Sequence, residues 1–228
     1  MQAQTSPSES RPAVQTPHKS HAKYGANPAA GRTFTHDGIK LYYEIYGVGE
    51  PLLLAHGNRG SIGELSAQIA YFRTRYRVIA MDSRDHGKSA DSPDKITYEK
   101  MTDDLAALLE HLRTPPACVL GWSDGGIEAL LLAIRHPEKV KKIAAMAANL
   151  DPDGLHPKAL ALIKTMLAST PPPGKRDAKV TQMMLDEPNI EFTSLETITA
   201  PTLILAGDHD VIRDEHTLDI YHHIPIAS

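Results

Sequence analysis

The most constraining feature of this 228-residue chain is an alternation between short apolar runs and segments with helical periodicity. Most of the runs are continuously apolar rather than alternating, which predicts strands buried on both faces. They lie at residues 40–46, 51–55, 77–81, 117–121, 142–147 and 202–206. Buried strands separated by helices build a parallel sheet that is covered on both sides, so the pattern predicts an α/β fold.

Two of the intervening segments carry apolar residues at i, i+3, i+4 and i+7, which is the spacing of one helix face. These residues are Leu105, Leu108, Leu109 and Leu112 in the first segment, and Ile127, Leu130, Leu131 and Ile134 in the second. The expected architecture is therefore a mostly parallel sheet with helices on both faces.

The alternation is interrupted between residues 149 and 201, where helical patterns replace strands. We predict a helical lid at about 150–197, inserted after the sixth strand of the fold, because open α/β sheets bind ligands at the carboxyl ends of their strands. The alternative is a packed helical hairpin with no role in binding.

The first 30 residues contain no Leu, Ile or Phe and are rich in Ser, Pro, Gln, Ala and Lys. Such a segment buries too little apolar surface to offset its ordering entropy, so residues 1–30 are predicted to be a disordered leader before a domain at 31–228. It has no apolar core of the kind that a secretory signal needs, which favours a cytoplasmic protein. An exported protein whose true start lies upstream is the alternative.

Composition narrows the class of partner. The formal charge is only -4, from 24 Lys and Arg against 28 Asp and Glu, which gives no reason to expect a nucleic acid or an anionic membrane as partner. No apolar run approaches the ~20 residues that span a bilayer. Cys118 is the single cysteine, which excludes an intrachain disulfide and a cysteine-based zinc site. We expect a soluble, one-domain protein with a small-molecule partner, and the sequence does not predict its oligomeric state.

The sharpest motif is Gly121-Trp122-Ser123-Asp124-Gly125-Gly126, between a predicted strand and a predicted helix. A nucleophilic serine must stand on a tight strand-to-helix bend, where the crowded backbone leaves no space for side chains two residues to either side. Gly121 and Gly125 meet that demand. The bend also places the Asp124 amide at a helix N-terminus, where it can stabilise an oxyanion. We predict Ser123 as the nucleophile; the alternative is a glycine-rich turn that exposes a serine.

A second glycine-rich loop, His56-Gly57-Asn58-Arg59-Gly60, follows the predicted strand at 51–55. Acyl transfer needs another backbone N–H aimed at the same oxyanion from a neighbouring strand end, and Asn58 is the predicted donor. We interpret His56 as a buried, hydrogen-bonded histidine that holds the loop, rather than as a catalytic base.

The run at 202–206 leads into Gly207-Asp208-His209-Asp210. An acidic residue just past a strand can orient a catalytic histidine, and Asp210 is predicted for that role. Asp208 is expected to shape the turn, and Asp151 is a further candidate for the acid. The Asp-His-Asp run could also suggest a metal, but no third ligand at helical spacing accompanies it, so no metal site is predicted.

Together these motifs resemble the α/β-hydrolase fold superfamily, over about residues 34–228. The likeness rests on His56-Gly57-Asn58, on the bend at Ser123, on Gly207-x-x-Asp210, and on the loop from Asp82 to Ser89. It implies a serine hydrolase that acts on an ester or related acyl substrate and uses no cofactor. A serine rather than an aspartate at position 123 points away from dehalogenase or epoxide-hydrolase chemistry.

In this family a histidine follows the acid, after one more strand. Only 18 residues follow Asp210, and they predict a helix and no eighth strand. The last strand and helix of the fold are therefore expected to be missing, and the run at 202–206 is expected to be an unpaired sheet edge.

The three histidines near the end of the chain, His216, His222 and His223, are expected to be surface residues away from Ser123. The resemblance thus implies a truncated chain with a severely impaired triad. Two alternatives stay open. One is a catalytically inactive remnant that binds a small ligand or a protein partner, and the other is a proton relay supplied by the substrate or by His223.

Overall fold

The computed structural model of this chain describes residues 23–170 and 175–228. Seven strands form one sheet in the order β1-β2-β4-β3-β5-β6-β7. They are β1 (Gly31–His36), β2 (Ile39–Tyr46), β3 (Glu50–Ala55), β4 (Tyr76–Asp82), β5 (Ala117–Trp122), β6 (Val140–Met146) and β7 (Thr202–Leu205). β2 pairs with β1 and β4 in antiparallel fashion, and every other pair is parallel. The predicted α/β architecture is confirmed.

The described residues also form seven α-helices. They are α1 (Ser66–Phe72), α2 (Tyr98–His111), α3 (Asp124–Arg135), α4 (Pro157–Ser169), α5 (Arg176–Asp186), α6 (Phe192–Leu195) and α7 (Asp214–His223). Within those ranges, none of the helices is long and apolar enough to cross a bilayer.

The continuous apolar runs are explained by the two covered faces of the sheet. Leu53 faces the larger core, which contains the apolar stripes of α2 and α3. Its neighbours Leu52 and Leu54 face a second core, which contains Ile69 of α1. Because side chains alternate across a strand, a strand between two cores must be apolar at every position.

Helices α4 to α6 form the predicted insertion after β6. Arg176, at the start of α5, donates to the carbonyl oxygens of Gly87 and Ser89, at 2.9 Å each. These carbonyls lie in the loop after β4, so α5 is attached at the carboxyl edge of the parallel strands. Its role as a lid stays a prediction.

The described residues begin before the predicted domain boundary at residue 31. Tyr24 is buried, and the buried Glu44 carboxylate accepts hydrogen bonds from the amides of Gly25 (2.7 Å) and Asn27 (3.0 Å). Residues 23–30 therefore pack against the sheet, and the prediction that they belong to a disordered leader is wrong. The remainder of the predicted leader, residues 1–22, lies outside the described residues.

The edge of β7 also differs from expectation. The Thr202 amide donates to the Ile226 carbonyl (2.9 Å), and the Ser228 amide donates to the Thr202 carbonyl (3.0 Å). The Ile204 amide then donates to Ser228 (3.1 Å). Ala227 forms an isolated parallel bridge with Thr202, so residues 226–228 cover part of this edge, and the prediction of a wholly unpaired edge is wrong.

Candidate active site

Ser123 occupies the bend between β5 and α3, with φ at 57° and ψ at -120°. A Cβ at Gly121 would lie 1.8 Å from the Gly125 carbonyl oxygen, and a Cβ at Gly125 would lie 2.2 Å from the Ala55 carbonyl oxygen. Both positions therefore require glycine, for the steric reason that the spacing predicts. The Ser123 amide donates to the Met146 carbonyl of the neighbouring strand (2.8 Å), which fixes the bend to the sheet.

The loop after β3 lies directly against this bend. A Cβ at Gly57 would be 3.2 Å from the Ser123 Cβ, so glycine allows the loop to approach the serine closely. The Asn58 side chain reaches further and donates from Nδ2 to the Asp124 carboxylate at 2.8 Å. The two residues that the sequence predicts as oxyanion donors are thus adjacent, and their side chains are joined.

His56 is buried beneath this loop. Its Nδ1 lies 2.8 Å from the Gly57 carbonyl, and its Nε2 accepts from the Ser83 amide at 3.1 Å. Burial lowers the pKa of His56 to about 4, so the ring is neutral at pH 7 with both nitrogens engaged. The interpretation of His56 as a histidine that holds the loop is confirmed.

A cavity of about 30 Å³ opens beside the Ser123 side chain. Its walls come from α2, from the bend at Ser123 between β5 and α3 (the elbow), from the insertion and from the loop after β7. The lining residues are Tyr98, Ser123, Asp124, Asn149, Leu155, Met184, Glu187, Val211 and Ile212. No histidine is among them in the part of the chain that the structure describes. The cavity is small, and two of its lining residues, Asp124 and Glu187, are acidic.

Asp210 lies in the loop after β7, next to two residues that line the cavity. Its carboxylate accepts from the amides of Gly207 (3.0 Å) and Ile212 (3.1 Å), so it is engaged in shaping its own loop. Asp210 itself is not among the lining residues, and its role as the acid stays a prediction. Asp151, the further candidate, accepts from the Gly154 amide at 2.9 Å and caps a short turn.

The histidines of α7 correct one prediction. His216 is buried, not at the surface, and its Nε2 accepts from the Leu150 amide at 2.9 Å. It therefore positions the loop that carries Asn149, a lining residue of the cavity, without lining the cavity itself. His222 is exposed, and His223 is half-buried with Nδ1 2.7 Å from the Asp219 carbonyl.

The electrostatics of the site centre on Asp124. Burial raises the pKa of its carboxyl to about 6, against hydrogen bonds from Asn58, Tyr98 and its own amide, which lower it. Tyr98, the first residue of α2, is buried, and burial raises the pKa of its phenol well above the ordinary range. Tyr98 and Glu187 were not predicted as site residues, because no local motif marks either of them.

Among the described residues no group of three or more His, Cys, Asp or Glu could hold a metal ion.

Comparison with known proteins places these features in a family. A family model for the alpha/beta hydrolase fold matches residues 50–171 of this chain, which is just over half of it. The chain is 34% identical over 113 residues to 3-oxoadipate enol-lactonase 2 of Acinetobacter baylyi, covering 49% of this chain and 42% of that protein. It is 32% identical over 120 residues to the serine hydrolase BPHL of Mus musculus, covering 50% of this chain and 41% of that protein.

A solved structure, the thermophilic esterase from Thermogutta terrifontis, is 26% identical with a TM-score of 0.67 and covers 87% of each chain. In sequence, by contrast, the chain spans about half the length of the curated relatives that it matches, or less.

Proposed function

Because the chain belongs to the α/β-hydrolase fold family, we propose that it is a serine hydrolase of ester or related acyl substrates, with Ser123 as the nucleophile. The observation that carries this proposal is the backbone at Ser123. A serine held at positive φ between two obligatory glycines, beside a cavity, is costly to build, and such strained residues cluster at functional sites.

In the proposed reaction the Ser123 hydroxyl attacks the acyl carbon, and the backbone amides of Asn58 and Asp124 stabilise the oxyanion that forms. The Asp124 amide opens α3, where the helix dipole favours negative charge. Loss of one such donor typically lowers kcat by about 10²–10³-fold. Two of the similar proteins are named as an enol-lactonase and an esterase, and ester and lactone carbonyls have the chemistry that this arrangement would serve.

The proton relay is the weak part of this site. No described histidine lines the cavity, and the Asp210 carboxylate is occupied by two loop amides. In a serine protease, removing the base costs about as much as removing the whole triad, on the order of 10⁶ in kcat. We therefore propose that turnover by this chain is severely impaired. A second candidate function, supported by the same observation, is binding of a small ligand or partner without turnover.

The two candidates differ in covalent chemistry. The hydrolase proposal expects slow release of nitrophenol from a short-chain nitrophenyl ester, and none above background from the Ser123→Ala variant. A folded protein that shows no difference from Ser123→Ala, together with a saturable ligand-induced rise in Tm, would favour the binding function instead. Turnover that persists in the His222→Ala and His223→Ala variants would eliminate a relay through His223.

A further inference from the structure

The cavity beside Ser123 is small for a ligand site. Its volume is about 30 Å³, whereas pockets that hold drug-sized ligands have roughly 300–1,000 Å³. A water molecule needs about 10–15 Å³ of such space, so the cavity has room for about two waters. A group of acetyl size fits a space of that order, and a long alkyl chain does not.

The apolar wall of this cavity comes from two segments that are distant in sequence. Leu155 lies just before α4 and Ile212 lies in the loop after β7, and both line the cavity. They are 6% and 2% exposed, and they share an apolar cluster with Ile163 of α4. Because this cluster packs against both side chains, neither can move away from the cavity without a loss of packing.

Backbone contacts hold these two segments together. The His156 amide donates to the Val211 carbonyl at 2.8 Å, and Leu155 forms an antiparallel bridge with Ile212. A wall that is fixed by its backbone does not widen through a change of rotamer. To admit a longer chain on this side, the protein would have to separate the insertion from the loop after β7.

Met184 closes the cavity from α5. Its side chain is half-buried, lines the cavity and packs against the same apolar cluster. The helix is anchored, because the Lys179 ammonium contacts both the Asp85 carboxylate and the Ser92 carbonyl in the segment after β4. Met184 takes no part in the bridge between the other two segments, so its side chain can be shortened while that wall stays in place.

We propose that Ser123 takes short acyl groups, such as acetyl or propionyl, and that Met184 sets the upper limit on their length. This inference rests on the proposed function, since it names the class of acyl group for the same nucleophile. In the acyl-transfer step the Ser123 oxygen bonds to the acyl carbon, the bond from that carbon to the leaving oxygen breaks, and the hydroxyl proton goes to solvent. The acyl chain is then attached to Ser123 and must occupy the space beside it.

Nitrophenyl acetate, butyrate and octanoate test this limit, since they share a leaving group and differ only in chain length. Release of nitrophenolate is measured against Ser123→Ala, and the acyl adduct is located by peptide mass spectrometry. The rate that depends on Ser123 should be at least about tenfold higher with acetate than with octanoate, because even one excess methylene in an apolar pocket costs about 10–200-fold. An octanoate rate equal to or above the acetate rate would overturn the inference.

Variants of Met184 test which residue sets the limit. Met184→Ala should raise the octanoate rate toward the acetate rate, whereas Met184→Leu, with a similar volume, should keep the native preference. Met166→Ala is the matched control, because Met166 is also half-buried, lies on α4 and is not among the lining residues. It should leave the ratio of the two rates unchanged even if it lowers Tm. A native ratio in Met184→Ala would overturn the assignment to Met184.

The same assay separates this inference from the proposed function. If no ester gives a Ser123 adduct or a rate above that of Ser123→Ala, while the native chain melts cooperatively, the proposed function fails and the inference fails with it. If Ser123 is acylated equally fast by short and long chains, the nucleophile stands and only the limit on chain length fails.

Discussion

Backbone strain at Ser123 predicts that the nucleophile position is more stable as glycine than as alanine. With φ at 57° and ψ at -120°, the residue occupies a region that side chains other than glycine rarely adopt. Such a conformation costs about 1–3 kcal/mol. Glycine relieves that strain but loses about 0.5–1 kcal/mol more conformational entropy on folding. Taking the middle of each range, the net expectation is that Ser123→Gly exceeds Ser123→Ala in free energy of unfolding by about 1 kcal/mol.

Thermal unfolding followed by circular dichroism measures this difference. For a chain of this size, 1 kcal/mol corresponds to about 2–4 °C in Tm, so Ser123→Gly should melt one to several degrees above Ser123→Ala. Ser123→Ala is the matched control because it removes the same hydroxyl but keeps the Cβ. Neither variant should turn over an ester.

Equal Tm values for the two variants, or a lower one for Ser123→Gly, would refute the reasoning. Either result would mean that the backbone at this position is relaxed, and the steric argument that ties the two flanking glycines to a protruding serine would lose its basis.

The remaining predictions concern packing and protonation. Gly121→Ala should lower the free energy of unfolding by about 3 kcal/mol or more in urea titrations, because the new Cβ would lie 1.8 Å from the Gly125 carbonyl oxygen. Gly63→Ala is the control and should lower it far less, because no atom outside its own chain neighbours lies nearer than 3.4 Å to the new Cβ. His56 is neutral in the fold, so the stability that it contributes is fully present above pH 6.5 and is lost as the pH falls toward about 4. Between pH 7 and pH 5 the free energy of unfolding of the native chain should therefore fall by roughly 2 kcal/mol more than that of His56→Gln. Comparison with that variant is needed because buried acids such as Glu128 titrate in the opposite direction. Glu128 is fully buried, and neither of its carboxyl oxygens has a hydrogen-bond partner among the described residues. Glu128→Met should therefore raise the free energy of unfolding by about 1–3 kcal/mol. A lower free energy of unfolding in this variant would show that the carboxyl has a buried partner.

The parts of the fold that the sequence predicts are those with local physical causes. Strands between two cores must be apolar throughout, and a crowded bend needs glycine, so both leave a pattern in consecutive residues. β1 was not predicted, since its sequence, GRTFTH, contributes only Phe34 to the core. Residues 23–30 have the composition of a disordered segment, yet they are held by Glu44, a contact that spans 17 and 19 residues.

The candidate site likewise has parts that a local sequence pattern predicts and parts that depend on contacts between distant residues. The elbow and the loop at His56 were identifiable from glycine spacing after strands. The link from Asn58 to Asp124 spans 66 residues, and no motif encodes it. The burial of His216 also escaped prediction, because its partner is a backbone amide in the insertion, 66 residues away. Long-range polar contacts of this kind depend on how the elements dock, and a single sequence carries no periodic trace of them.

The central claim, that Ser123 is a nucleophile, is tested most directly by covalent labelling. The purified chain is incubated with a fluorophosphonate probe, and the modified residue is located by peptide mass spectrometry, with Ser123→Ala as control. The account predicts a single adduct on Ser123 that forms slowly and is absent from the control. A folded protein that gains no adduct, or gains it on another residue, would contradict it.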